Sequence, residues 1–311
     1  MNDMTQEVSN PKLREIRDGF FWTQECLPLG TLSELDRFDM SRWLDADEEA
    51  HGCQNAYLLD GDRSLLFDTL TQPNGDDVVG ILDDLLGGDP LDYLVISHPE
   101  ANHAGNTFTI LDAYPEATLL VPGEAAGHGD GHGAEHELYH IATDTPDDVS
   151  KLENEIRYVG DGDTVDLGGY TVEFHRPAVA DHSFTLWMTE RTTNTLFTVD
   201  WLGFLHQSSN CVSYAHELDR EVTVEQLFRF HALAFPWLRF SDGEAIEATV
   251  AEIKARFDPD IVAPAHGMVI TENPNAYMDL FVEAAACLSE EGEHGNMRSK
   301  LEYILRPPTE A

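Results

Sequence analysis

The chain is short of positive charge and of cysteine, and it has no long apolar run. Lysine and arginine total 18 against 58 acidic residues, a formal net charge of −40. Such a surface repels phosphate backbones and anionic headgroups, which argues against nucleic-acid and membrane partners. Acid spread along the whole chain is the composition with which a halophilic, acidic-proteome protein stays hydrated in brine. The four cysteines, Cys26, Cys53, Cys211 and Cys287, include no C-x-x-C pair, so zinc ribbons and thioredoxin-like motifs are excluded. Cys287 lies in the apolar stretch VEAAACL and is expected to be buried. Cys26 and Cys53 could meet in space, but a reducing compartment argues against a bridge. No segment approaches the ~20 apolar residues that span a bilayer. The opening MNDMTQEVSNPKLREIRDGF has no apolar core of a signal peptide. The expectation is a cytoplasmic protein.

What is present is enough to fold. The 311 residues are 42% apolar, which supports a large core and argues against disorder. NAYLLDGDRSLLFD at 55–68 reads as a hairpin turning at Asp60-Gly61-Asp62. A helix follows at VVGILDDLLG, a buried strand at LDYLVISH, a helix at TFTILDAY and a strand at ATLLVP. IRYVGDGDTVDLGGYTVEFHR holds three short strands, and further strands lie at FTLWM and TNTLFTVD. Helices are expected at VEQLFRFHALAF and EAIEATVAEIKARF, then a strand at DIVAPAHG and a helical tail. Strand alternating with helix implies a layered α/β fold. No linker interrupts it, so one domain over 1–311 is expected, with 1–20 and 290–311 as peripheral tails.

The chemistry concentrates in VISHPEANHAGN, where a buried strand ends and His98, Glu100, Asn102 and His103 follow within six residues. Histidine and carboxylate are ordinary donors to divalent metals, and groups leaving a strand end in a short loop can converge. H-x-E-x-N-H after an apolar strand resembles the H-x-[EH]-x-D-H signature of the metallo-β-lactamase superfamily, in the glutamate form of its flavodiiron, oxygen-binding branch. NAYLLDGDRSLLFDTL, YVGDGDTVDLGGYTVEF, LFTVDWLGF and IVAPAHG follow in that branch's order, so the resemblance covers roughly 15–275. It implies an αββα sandwich. It further implies that His98 and Glu100 bind one metal and His103 a second. His182, in PAVADHSFTLW, takes the place of a mid-chain histidine ligand, Asp200 bridges the metals and His266 completes the second. Asp68 would orient the ligand loop from behind. His175 competes with His182 but sits within a strand's alternation, as a packed or solvated residue.

Asn102 departs from that pattern, which has aspartate there. A neutral amide brings no charge and is a weak ligand, so Asn102 leaves two carboxylates in the set and should weaken the second site. Glu100 in place of an imidazole favours iron, with zinc or manganese as alternatives. The resemblance implies that such a protein binds or reduces dioxygen or nitric oxide. No phosphate loop of a flavin site is found in the tail, so electrons would come from a separate donor or from the facing subunit of a homodimer. Two alternatives use the same residues: hydrolysis of an ester, lactone or phosphodiester by metal-bound hydroxide, and non-catalytic oxygen sensing. The Gly/His tract around His128, His132, His136 and His140 reads as a solvated loop. His206 could line the pocket, His231 reads as a packed helical residue, and Trp187, Trp201 and Trp237 as core or pocket wall.

Overall fold

Strands that are buried on both faces explain the architecture. The computed structural model describes residues 11–31, 43–123, 153–181 and 184–293. Its first sheet runs β1 (Lys12–Arg17), β2 (Phe20–Thr31), β3 (Glu49–Asp60), β4 (Ser64–Phe67), β5 (Tyr93–Val95), β6 (Thr118–Pro122), β7 (Ile156–Val159), with β12 (His206–Gln207) paired to β3. The second sheet has the order β13 (Ile261–Pro264), β11 (Thr195–Val199), β10 (Trp187–Glu190), β9 (Thr171–His175), β8 (Thr164–Asp166). Helices α1 (Gly75–Leu86) and α3 (Thr107–Ala113), with the one-turn α2 (Ala101–Ala104) before α3, cover the first sheet. Helices α4 (Val224–Ala234), α5 (Gly243–Phe257) and α6 (Pro274–Glu293) pack on the second.

Alternate residues of each central strand serve two cores. Leu65 and Phe67 of β4, Val95 beside β5's Leu94, and Leu120 of β6 enter the core between the sheets. Leu66, Leu94, Leu119 and Val121 face α1 and α3 on the other side. Parallel strands covered on both faces therefore read as unbroken apolar runs. β4, β5, β6 and β7 are parallel neighbours, as are β11 and β13. The layered α/β expectation holds as an αββα sandwich. Trp187 and Trp201 are stacked in its core with ring centroids 5.1 Å apart.

Three expectations need correction. β1 begins at Lys12 and extends the first sheet by pairing with β2, where the sequence suggests only a tail. Cys287 is exposed, because α6 turns Phe281, Ala284, Ala285 and Leu288 inward and leaves position 287 on its outer face. His206, which from sequence could have lined the pocket, sits instead on β12 opposite His51 of β3 and outside the walls of the cleft.

Candidate metal centre

The predicted side chains that the structure describes stand just beyond strand ends or on the one-turn helix that follows β5. Asp68 follows β4, Ser97 and His98 follow β5, Asp200 follows β11 and His266 follows β13; Asn102 and His103 ride on α2. These ends form the carboxyl edge of two parallel pairs, where an open α/β sheet leaves its crevice. The backbone there is strained. Asp68, Leu70, Val199 and Leu202 have φ of 65°, 62°, 55° and 67°, a region that costs a non-glycine residue about 1–3 kcal/mol. Gly203 has to be small, since a Cβ would lie 2.5 Å from the Phe230 ring and 2.9 Å from His266 Cβ.

Asp68 is fully buried and organises the cluster from behind. It accepts from the Ser97 amide and hydroxyl, both at 2.8 Å, and from His103 Nδ1 at 2.9 Å. With Nδ1 so engaged, His103 presents Nε2 to Asp200 Oδ1 at 3.1 Å. His266 donates Nδ1–H to the Cys53 carbonyl at 2.7 Å and turns its own Nε2 to the same oxygen, 3.0 Å away. His98 is buried with its ring 4.1 Å from that of His103. Its Nε2 lies 3.6 Å from Oε2 of the half-exposed Glu100. His98, His103 and Asp200 thus offer ligand atoms within 4.8 Å of one another.

Electrostatics show what this arrangement lacks. His103 Nε2 and Asp200 Oδ1 are buried without a hydrogen-bond partner, close as they are. Burial alone would lower the His103 pKa, but the Asp68 and Asp200 carboxylates raise it to about 10. Asp200 moves the other way: burial opposes its charge, yet His266 and His103 hold it well below the carboxylate range. A hydrogen bond from His98 likewise lowers Glu100. The cluster therefore calls for a cation at its centre. Ligand atoms about 2.1 Å from one octahedral ion lie roughly 3.0 Å apart, the spacing that His103 Nε2 and His266 Nε2 each keep to Asp200 Oδ1. The donor set fits a divalent metal.

Asn102 is half-buried at the same place and directs Nδ2 to His266 Nε2 at 3.2 Å. It donates to the very lone pair a metal would need. His182 and the Gly/His tract at 127–140 lie outside the described residues. His175 bonds Thr189 Oγ1 at 2.7 Å and packs on Phe257, as a buried structural residue. Sequence reasoning missed three contributors: Ser97, the Cys53 carbonyl, and Phe230, whose ring is 5.0 Å from that of His266. Ser97 could have been suspected from its place between strand and ligand loop. The other two act from distant segments and leave no local signal. In front of the cluster is a cleft of about 380 Å³ whose walls include Glu100, Asn102, Asp200 and His266 on one side and Leu27, Phe204, Phe230 and Leu233 on the other.

Residues 52–190 match the family model described as the metallo-beta-lactamase superfamily. That match places a metallo-beta-lactamase domain in this stretch, in keeping with the αββα sandwich described above. An anaerobic nitric oxide reductase flavorubredoxin of Salmonella arizonae is 24% identical over 76% of this chain and 45% of its own length. A Nostoc protein named among the diflavin flavoproteins is 29% identical over 64% of this chain and 30% of its own. The chain thus spans less than half of the length of these curated relatives. The metal-soaked flavodiiron core of Flv1 from Synechocystis superposes with a TM-score of 0.64 at 20% identity, over 89% of this chain and 61% of the other. The rubredoxin oxygen:oxidoreductase of Desulfovibrio gigas gives 0.66 at 18% identity, over 88% and 62%. These flavodiiron likenesses establish the fold, and the site's chemistry rests on the residues above. Among the described residues no helix is long and apolar enough to cross a membrane.

Proposed function

We propose that this chain holds a di-metal centre, with iron favoured over zinc or manganese, and uses it to bind or reduce dioxygen or nitric oxide with electrons from a separate donor. The observation that carries the reading is the buried pair His103 Nε2 and Asp200 Oδ1, which face each other with no hydrogen-bond partner beside His98, Glu100 and His266. His98 and Glu100 would hold one ion, with His182 as their third ligand. His103 and His266 would hold the other, and Asp200 would bridge. Two ferrous ions in such a set would supply electrons to a diatomic substrate.

The chain's own residues prepare that chemistry. Asp68 keeps the Nδ1 proton on His103, so that Nε2 stays the donor atom. The Cys53 carbonyl does the same for His266. Leu27, Phe204 and Phe230 give the cleft an apolar wall, which suits a small uncharged substrate and keeps bulk water from the centre. Asn102 withholds the charge and lone pair an aspartate would contribute, so the His103–His266 position binds its ion more weakly than the other.

Anaerobic reconstitution with iron(II), metal analysis, and oxygen and nitric oxide uptake with an artificial reductant form the test. Uptake stoichiometric with iron is expected. Zinc content with ester or phosphodiester turnover and no gas uptake would establish the hydrolytic alternative instead. Asn102→Asp is expected to tighten the weaker equivalent by at least tenfold; two equally tight ions in the unaltered chain would remove Asn102 from the explanation.

A further inference from the structure

A second cluster lies on the other side of Cys53, built from residues far apart in the sequence. Cys26 is on β2, His51 on β3, His206 on β12, and Cys211 just after a short turn at Ser208–Asn210. Cys26, His51 and His206 are buried and Cys211 is half-buried. Their donor atoms lie within 4.8 Å of one another. We propose that Cys26, His51, His206 and Cys211 form a structural zinc site of two thiolates and two imidazoles, separate from the centre in the cleft.

Geometry supports a single ion. Cys26 Sγ is 3.3 Å from Cys211 Sγ and 3.6 Å from His206 Nε2. Cys211 Sγ is 3.3 Å from His51 Nδ1 and 3.7 Å from His206 Nε2. A zinc tetrahedron with bonds of about 2.3 Å to sulfur and 2.0 Å to nitrogen has edges of roughly 3.5 Å between sulfur and nitrogen and 3.8 Å between sulfurs. The three sulfur–nitrogen separations match that edge, and the two sulfurs would part by about 0.5 Å to take up the ion. The two imidazole rings meet at 83°, so they approach the shared space from different directions. A disulfide would require an S–S distance near 2.05 Å, which the 3.3 Å between Cys26 Sγ and Cys211 Sγ well exceeds.

Chemistry points the same way. His206 is enclosed, its Nδ1 has no hydrogen-bond partner, and its Nε2 meets two sulfurs, which are weak partners. Hydrogen bonds among neutral groups do not recover that cost of burial; ligation would. Thiolate is the form of cysteine that binds metal, and Cys211 Sγ already lies within 3.3–3.7 Å of Cys26 Sγ, His51 Nδ1 and His206 Nε2. Soft sulfur with imidazole selects zinc over the harder ions suited to the cleft. An ion here would pin β12 and the turn after it to β2 and β3. Two residues along β3 from His51 stands Cys53, whose carbonyl orients His266.

The test loads the reduced full chain with zinc(II), or with cobalt(II) as spectroscopic probe. One tightly held zinc is expected to survive in Asp200→Asn/His266→Ala, which removes ligands of the cleft centre, and to be lost in Cys26→Ser/Cys211→Ser. Cobalt in the unaltered chain should show intense tetrahedral visible bands and a thiolate-to-cobalt charge-transfer band. The cobalt measurement decides the matter even where a cysteine variant fails to fold. Absence of the charge-transfer band, zinc lost with the Asp200 variant but kept by the cysteine variant, or a Cys26–Cys211 disulfide in freshly isolated chain would overturn the proposal.

Discussion

At the scale of single residues, the centre depends on side chains that fix which ring nitrogen is free. Asp68 holds His103 by Nδ1 and is itself held by Ser97. Asp68→Asn keeps the size but offers one oxygen where two accept, so the His103 tautomer is no longer fixed. Loss of such a partner typically costs 10–100-fold in metal affinity. That loss is expected in a metal titration at the position His103 serves, and unchanged affinity would refute it. His231 plays a similar part for the bridging loop. It donates Nδ1–H to Leu227 O at 2.8 Å and accepts the Leu202 amide on Nε2 at 3.3 Å, two residues beyond Asp200. Burial lowers its pKa to about 4. The folded value lies below the unfolded value of about 6.5, so the neutral ring's contribution is complete above the latter. It is lost as pH falls toward 4, to a total of about 3 kcal/mol. His231→Gln can keep both hydrogen bonds without titrating. Urea unfolding across pH 4–7 should show a steeper loss in the parent chain than in this variant. Parallel curves would assign the effect to other groups.

Elements position these residues, and glycines show where elements come too close for a side chain. Gly203→Ala would push Phe230 and His266 apart, with an expected destabilisation of about 1–3 kcal/mol and metal binding at His266 weakened at least tenfold. Gly80 is the control, exposed in the interior of α1 with nothing within 4 Å of where a methyl would sit. Gly80→Ala should raise stability by about 1 kcal/mol and leave metal binding untouched; equal effects of the two substitutions would dismiss the crowding argument. The elements were unequally legible in the sequence. β4, β5, β6, β11 and β13 announce themselves as apolar runs because both faces are buried, and the ligand cluster of α2 is contiguous. β2 is hidden because its FFWTQECLPLGT interrupts the apolar pattern with Gln24 and Glu25. Both are buried and draw their main partners from distant segments: Gln24 from Asn55, Val212 and Gly267, Glu25 from Thr71 and Asn74. β12 is two residues long and has no period to read. The Cys/His cluster draws on positions 26, 51, 206 and 211, which share no motif and meet only through β2–β3 and β3–β12 pairing.

For the whole molecule the governing quantity is charge. With 58 acidic and 18 basic side chains, even complete pairing of every cation leaves 40 carboxylates without one. Pairs that do form, such as Arg220–Asp45 and Arg191–Glu173, are on the surface, where each contributes about 0–1 kcal/mol. Mutual repulsion of the remaining carboxylates therefore opposes the compact state at low salt. The Debye length falls from about 10 Å at 0.1 M to about 3 Å at 1 M, which removes most of that repulsion without altering any contact in the core. The unfolding midpoint should accordingly rise steadily with potassium chloride over that range. Guanidinium chloride at low concentration, which screens as a salt before it denatures, should destabilise less than an equal concentration of urea. Urea is the discriminating partner because it weakens the hydrophobic core but carries no charge. A midpoint indifferent to potassium chloride, with guanidinium always the stronger denaturant, would show that the acidic surface does not limit the stability of this fold.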